Sequence, residues 1–312
     1  MRKIIIDCDP GHDDAFAIMT ASAHRDKLDT LAVTTVGGNQ VLDKVTANAQ
    51  KILSYIKEDM PLAVGQATPL IKPIHTGEDA HGESGMDGPN FHEYNYKISS
   101  TNAVKYMHDL ISASEEKVTI VAIGPLTNIA LLLRTFPEVK DKIEEICLMG
   151  GGVDRGNRTP TAEFNIYVDP EAAKIVFNSG VEIVMAGLDV TEAAMMMDDE
   201  IELLKNKGKA SRLTWELLQF YSKASKRFGF EGSALHDLCT IVYLLRPDLF
   251  KGVKYHVDIE TYGELTRGMT VGDKRPVPDK TPNTLVLTEV QRVEFIKFFV
   301  ESLEILDERL KQ

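Results

Sequence analysis

The chain has 312 residues, with 35 Lys+Arg against 47 Asp+Glu and a formal net charge of −12 at pH 7; 43% of it is hydrophobic. That composition can bury a sizeable core and excludes global disorder, and the acidic balance disfavours nucleic-acid backbones and anionic membranes as partners. No apolar run approaches the ~20 residues that span a bilayer, and the opening Met1–Ile6 is too short for a signal-peptide core.

Short apolar runs then alternate with amphipathic stretches. Ile4–Ile6 predicts a first strand ending at Asp7, followed by a helix from Asp14 to about His24. Leu31–Val36 predicts a second strand, closed by Gly37-Gly38, and apolar residues three and four apart predict a helix over Leu42–Ile56. His75–Phe91, rich in Gly, His, Asp and Glu, reads as a long loop. Strand candidates Val118–Ile123, Ile146–Met149 and Val181–Met185 interleave with helical patterns near Asn102–Ser112, Pro125–Leu133 and Pro170–Asn178. Lys205–Gly232 is mostly helical and carries Trp215, Phe220, Tyr221, Phe228 and Phe230, aromatics expected to pack into the core. Gly272–Pro282 reads as a loop before a closing amphipathic helix around Glu289–Ile305. This rhythm predicts one α/β domain over residues 1–312, built on a doubly wound, mainly parallel open sheet of Rossmann-like type with helices on both faces. Ligands of such sheets bind outside the carboxyl ends of the strands, where the unusual residues fall.

The first of those ends is Asp7-Cys8-Asp9-Pro10-Gly11-His12-Asp13-Asp14, four carboxylates within eight residues. Two carboxylates 4 Å apart repel by about 4 kcal/mol at an effective dielectric near 20, and a cation would turn that repulsion into coordination. Hard oxygen donors suit Ca²⁺ or Mg²⁺. A solvated turn with a capping Asp would explain one or two of these acids but not four. An EF-hand loop starting at Asp7 fails, because His12 and Ile18 stand where Gly and Glu are required. A phosphatase of the haloacid-dehalogenase type, with Asp7 as nucleophile and Asp9 as acid/base, is the alternative enzyme; Gly11 stands where that family usually has Thr.

The Asp7–Ala15 motif resembles the signature of the inosine–uridine-preferring nucleoside hydrolases. The resemblance continues in order through Thr34–Asn39, His81–Gly85, Gly124–Asn128, Met149–Gly152, Ala162–Asn165 with Asp169–Ala172, and Leu235–Asp237. It implies a tightly held Ca²⁺ with Asp9, Asp14 and Asp237 as side-chain ligands and Ile123 as a carbonyl ligand. It implies that Asp13, Asn39, Glu163 and Asn165 bind the ribose hydroxyls, with Asn157 and the Met149 backbone nearby, and that His81 and His236 face the base. A doubly wound α/β fold and a homodimer or homotetramer are further implications, with Phe220–Phe230 lying over the base.

The residue types suit that chemistry. Cleaving an N-ribosidic bond passes through a ribosyl cation, so water must be activated, the sugar stabilised and the base helped to leave. A Ca²⁺-oriented water could lose its proton to Asp9 as general base, Asp13 and Glu163 would stabilise positive charge on the sugar, and His236 would protonate the departing base. The expected partner is a small-molecule ribonucleoside, with uridine and cytidine favoured over inosine; a phosphorylated nucleotide should be rejected for want of a basic cluster in these motifs. A nucleoside-binding protein without catalysis is disfavoured because Asp9, Asp14, His236 and Asp237 are all present. His12 has no assigned role. His24, His75, His92, His108 and His256 are expected to be surface or structural. Cys8, Cys147 and Cys239 are too scattered for a disulfide framework, which fits a cytoplasmic protein; Cys8 and Cys239 read as small buried hydrophobes.

Overall fold

In the computed structural model, which describes residues 1–91, 94–276 and 279–311, Ile4, Ile5 and Ile6 are all fully buried. They belong to a central strand covered on both faces, for which a continuous apolar run is the expected pattern. The strands are β1 (Arg2–Cys8), β2 (Leu28–Thr35), β3 (Leu62–Val64), β4 (Ile98–Ser100), β5 (Val118–Ala122), β6 (Ile143–Met149), β7 (Ile183–Ala186), β8 (Met195–Met196), β9 (Ser233–Ala234), β10 (Phe250–Tyr255), β11 (Val257–Ile259), β12 (Thr270–Gly272) and β13 (Thr284–Val290). Nine of them form one sheet in the order β10-β13-β7-β6-β5-β1-β2-β3-β4, parallel except for the β10–β13 pair at one edge. The chain winds outward from β1 through β2 to β4 on one side and from β5 through β6 and β7 on the other. Strand order therefore reverses between β1 and β5, which opens a crevice at their carboxyl ends.

The helices are α1 (His12–Ala23), α2 (Leu42–Tyr55), α3 (Glu78–His81), α4 (Ala103–Ala113), α5 (Thr127–Thr135), α6 (Phe164–Val168), α7 (Pro170–Phe177), α8 (Leu188–Thr191), α9 (Asp198–Glu202), α10 (Lys209–Arg227), α11 (Leu238–Leu245) and α12 (Arg292–Leu310). Side chains of β1 alternate between two cores. Ile4, Ile6 and Cys8 pack with α1, α2, α10, α11 and α12, and Ile5 packs with α4, α5 and α7. No helix among the described residues is long and apolar enough to cross a membrane.

The predicted rhythm holds, with corrections. α1 begins at His12 rather than Asp14, so Asp13 and Asp14 sit in its first turn, where exposed backbone amides favour negative charge. The short strands β3 and β4, the helix α11 and the antiparallel β10–β13 pair were not anticipated. β13 runs through Glu289, so the closing helix starts at Arg292 and extends to Leu310. Part of the predicted Gly272–Pro282 loop, residues 277 and 278, and His92 lie outside the described residues. All three cysteines are free and buried. Of the expected structural histidines, His24 is buried against Ser302 and Phe298, His75 meets Tyr167 edge-on, His108 stacks on Phe136, and His256 bonds the Thr281 carbonyl.

α10 matters to the site because it carries Tyr221, and its start is capped from another element. The Asp307 carboxylate on α12 accepts from the backbone N–H groups of Ala210 (2.6 Å) and Ser211 (3.2 Å) and from the Ser211 hydroxyl (2.5 Å). Asp307→Ala strands those buried donors and should cost about 1–3 kcal/mol, lowering Tm by roughly 2–6 °C in a thermal melt. Asp307→Asn, which keeps an acceptor, should lose less. An unchanged Tm for the Ala variant would show that α10 is held by other means.

Candidate active site

A cavity of about 510 Å³ opens at the carboxyl end of the sheet, over the crevice between β1 and β5. Asp13 from α1, Asn39 after β2, His81 at the end of α3 and Ile123 after β5 line one part of it. Met149 at the end of β6 and Asn157, Glu163 and Asn165 beyond it line another, and His236 and Asp237, just before α11, close the ring. Of the residues expected at the site, only Asp9 and Asp14 are absent from the lining; both are fully buried directly behind it.

The turn after β1 holds the acids in place. Asp14 accepts from the backbone N–H groups of Asp9 (3.2 Å) and Gly11 (2.8 Å), and Asp9 accepts from the backbone N–H of Asn39 (2.6 Å). Asn39 also donates its side-chain amide to the Asp9 carbonyl (3.1 Å) and to Asp14 (3.3 Å). A Cβ on Gly11 would sit 2.5 Å from His81 Nδ1, and one on Gly38 would collide with the Asp9 carboxylate, so both close approaches require glycine.

Carboxylate oxygens of Asp13, Asp14 and Asp237 lie within 4.8 Å of one another. Asp9 stands outside that triple, although the resemblance counts it as a ligand and assigns Asp13 to the sugar. Burial raises the carboxyls of all four, and repulsion from Asp14 adds to it for Asp9 and Asp13, as repulsion from Asp13 does for Asp237. Among the described residues, Asp9 Oδ1 and Asp13 Oδ1 are buried without a hydrogen-bond partner. A buried carboxylate oxygen without a donor is costly, and the donor set here is all hard oxygen. The cluster therefore fits a divalent cation of the Ca²⁺ or Mg²⁺ kind.

Around this cluster sit the neutral and proton-bearing groups. Glu163 caps α6, accepting from the backbone N–H groups of Gly151 (2.8 Å), Asn165 (2.9 Å) and Ile166 (3.2 Å); burial still pushes its carboxyl up to about 7. Asn165 donates to the carbonyls of Ile123 and Met149, 3.1 Å each, which ties β5 to β6 at the cavity floor. Asn157 accepts from the Phe164 backbone N–H at 2.9 Å. His236 is buried and bonds Thr191 Oγ1 through Nδ1 at 2.8 Å, and burial lowers it to about 4.

Several site residues escaped the sequence. Thr191, the His236 partner, sits in α8 after β7, and the carboxyl-end rule could have located it. Tyr221, Phe228 and Phe230 line the cavity, where the resemblance had put the Phe220–Phe230 segment; Tyr221 is also buried in the core, whereas Phe228, 57% exposed, departs from the core packing expected of these aromatics. Arg155 and Arg158 also line it, each paired with a carboxylate: Glu192 at 3.1 Å and Asp79 at 3.0 Å. Asp7 lies on the Ile5 side of β1, fully buried, bonded by Thr34 (2.5 Å) and Asn128 (2.8 Å) and raised to about 7 by burial. It is walled off from the cavity, which removes the phosphatase nucleophile.

Known proteins agree with this geometry. Residues 4–297 match the family model described as inosine-uridine preferring nucleoside hydrolase. The chain is 47% identical to the pyrimidine-specific ribonucleoside hydrolase RihA of Shewanella baltica (strain OS155) over 98% of this chain and 97% of that protein, and 47% identical to the protein of the same name from Photobacterium profundum over 97% and 98%. Among solved structures it superposes on the purine-preferring ribonucleoside hydrolase of Gardnerella vaginalis with a TM-score of 0.92, 27% identity and coverage of 99% and 100%. The plant nucleoside hydrolase PpNRh1 gives 0.89, 30% identity and coverage of 97% and 99%. A match of that extent, on a chain whose carboxylates, amides and histidines ring one cavity, means that this protein belongs to the inosine-uridine preferring nucleoside hydrolase family and hydrolyses ribonucleosides at the N-glycosyl bond.

Proposed function

We propose that the chain, acting as one unit over residues 1–312, is a Ca²⁺-dependent hydrolase of pyrimidine ribonucleosides, releasing the base and ribose. The observation that carries this reading is the buried carboxylate cluster with partnerless oxygens Asp9 Oδ1 and Asp13 Oδ1, set beneath a cavity of nucleoside size. The names of the 47%-identical relatives support the pyrimidine preference. Three free, buried cysteines favour a reducing, cytoplasmic setting, and the family resemblance favours a homodimer or homotetramer.

Asp9, Asp14, Asp237 and the Ile123 carbonyl would hold the ion, and the proximity of Asp13 to Asp14 and Asp237 puts it at the same centre. When bound, Ca²⁺ would neutralise the clustered carboxylates and acidify a water. Asp9 Oδ1, free of other donors, takes the proton of the attacking water. Asp13 and Glu163 stabilise positive charge growing on the sugar, while Asn39, Asn157, Asn165 and the Met149 backbone orient its hydroxyls. The Thr191 hydroxyl can donate to His236 Nδ1, which leaves the ring N–H at Nε2; from there His236 hydrogen-bonds the departing base and stabilises the negative charge that builds on it.

Incubation with a panel of ribonucleosides, scored for free base and ribose, tests the reaction. Uridine and cytidine should be cleaved and 2′-deoxyuridine should be a poor substrate, because the diol is part of the recognised sugar; deoxyuridine turning over as fast as uridine would sink the reading that the site recognises the ribose hydroxyls. Asp9→Asn should lose about 10²–10⁴-fold in kcat for uridine. The same variant should keep its Tm in chelator-treated protein, since it removes a buried charge that is unfavourable without the ion. Full turnover by Asp9→Asn would remove Asp9 as base.

A further inference from the structure

The sequence motifs hold no basic cluster, yet two guanidinium groups reach the cavity. Arg155 and Arg158 both line it, and so do the acids paired with them, Glu192 and Asp79. The Asp79 pair stands at the mouth: that side chain is 53% exposed, whereas Asp9 and Asp14, behind the cavity, are fully buried. Arg158 Nη1 donates to Asp79 Oδ2 at 3.0 Å, and its Nη2 meets His75 Nε2, so the guanidinium is held from two sides. A further guanidinium reaches the same acid from the end of α10: Arg227 Nη2 donates to the Asp79 backbone carbonyl at 2.8 Å.

Two cations thus converge on one residue, and among the described residues neither meets another carboxylate. This is the layout of an anion site whose anion the chain itself supplies. An exposed ion pair stabilises little, so its consequence lies in where it puts charge. A phosphoryl group carries about two negative charges and several acceptor oxygens, and an unpaired Arg158 would receive it in a forked pair of hydrogen bonds. With Asp79 in place the phosphoryl group meets a carboxylate there, and like charges in contact repel. Arg155 offers no alternative, because Glu192 pairs with it at 3.1 Å. An uncharged sugar is indifferent to all of this. With the diol of a ribonucleoside recognised at the carboxylate cluster, the 5′ carbon lies across the ring from it, and Asn157, which orients a sugar hydroxyl in the reading above, directly precedes Arg158.

We propose that Asp79 is a specificity-determining residue: by occupying Arg158 at the cavity mouth, it makes the site reject ribonucleoside 5′-monophosphates while admitting the uncharged ribonucleoside. The placement of the sugar rests on the nucleoside-hydrolase reading; the occupied guanidinium stands on the geometry. Rejection of nucleotides then has a different cause from the one the motifs suggest. Basic groups are present at the cavity, and it is an acid of the chain that withholds them.

Calorimetric binding of uridine 5′-monophosphate to the full-length Ca²⁺-loaded protein at low ionic strength reads this selection without turnover. Asp79→Asn keeps the size of the side chain and the carbonyl that Arg227 bonds. It should bind the 5′-monophosphate about tenfold more tightly than wild type, the value of a hydrogen bond to a charged group. Added salt should shrink that gain. The double variant Asp79→Asn/Arg158→Gln should lose it, and uridine 3′-monophosphate, whose phosphoryl group lies at the diol, should stay within about threefold of wild type. Asp79→Ala repeats the measurement should the Asn variant fail to fold. Unchanged affinity for the 5′-monophosphate overturns the proposal, as does a gain that survives in the double variant or an equal gain for the 3′-monophosphate. If the variant gains the 5′-monophosphate while wild type cleaves no ribonucleoside, the selection by Asp79 stands and the hydrolase reading falls. If wild type cleaves uridine and the variant gains nothing, the hydrolase reading stands and this proposal falls.

Discussion

Everything at the site depends on one electrostatic constraint: Asp9, Asp13, Asp14 and Asp237 are buried together, with backbone amides and Asn39 as the donors closest to hand. At an effective dielectric near 20, each pair of charges 4 Å apart costs about 4 kcal/mol. The two arginines on the cavity wall do not relieve it, because they are paired with Glu192 and Asp79. Burial and mutual repulsion raise these carboxyls. A divalent cation would offset that repulsion.

The fold answers that constraint by topology. Reversal of the strand order between β1 and β5 brings the ends of β1, β2, β5 and β6 to one crevice, so that residues as far apart as Asp9, Asn39, Ile123 and Met149 meet. Asn165 bonds the carbonyls following β5 and at the end of β6, which makes the cavity floor part of the sheet's own closure. The segment around His236 and Asp237 comes from outside the main sheet, between the β8–β9 pair and α11, and places a cavity-lining histidine one residue from a carboxylate of the cluster. That adjacency limits how far apart the histidine and the cluster can be.

Much of this was legible in the sequence, for reasons that can be named. Ile4–Ile6, Val118–Ile123 and Ile146–Met149 are apolar runs that only a doubly covered parallel strand needs, and the acids following the first of them are too many for a solvated turn. Short strands such as Leu62–Val64 and Ile98–Ser100 carry too few residues to show a period, and Leu285–Leu287 was obscured by the amphipathic pattern of the helix after it. At the site, motif residues were found because chemistry restricts their type. Thr191 was missed because a hydroxyl beside a histidine leaves no pattern in sequence. The aromatics in and after α10 allowed two readings: stripes of that kind are usually core, as Tyr221 is, yet Phe228 and Phe230 just beyond the helix face the cavity.

If carboxylates buried against one another are the centre of the molecule, binding of the cation must displace protons. Calorimetric titration of chelator-treated protein with Ca²⁺ near neutral pH, repeated in buffers of different ionisation enthalpy, measures both the stoichiometry and the protons released. The expected result is one ion per chain, net proton release on binding, and loss of binding in Asp237→Asn. Binding without proton release, or an unaltered isotherm in that variant, would contradict a shared cation as what holds the four acids together.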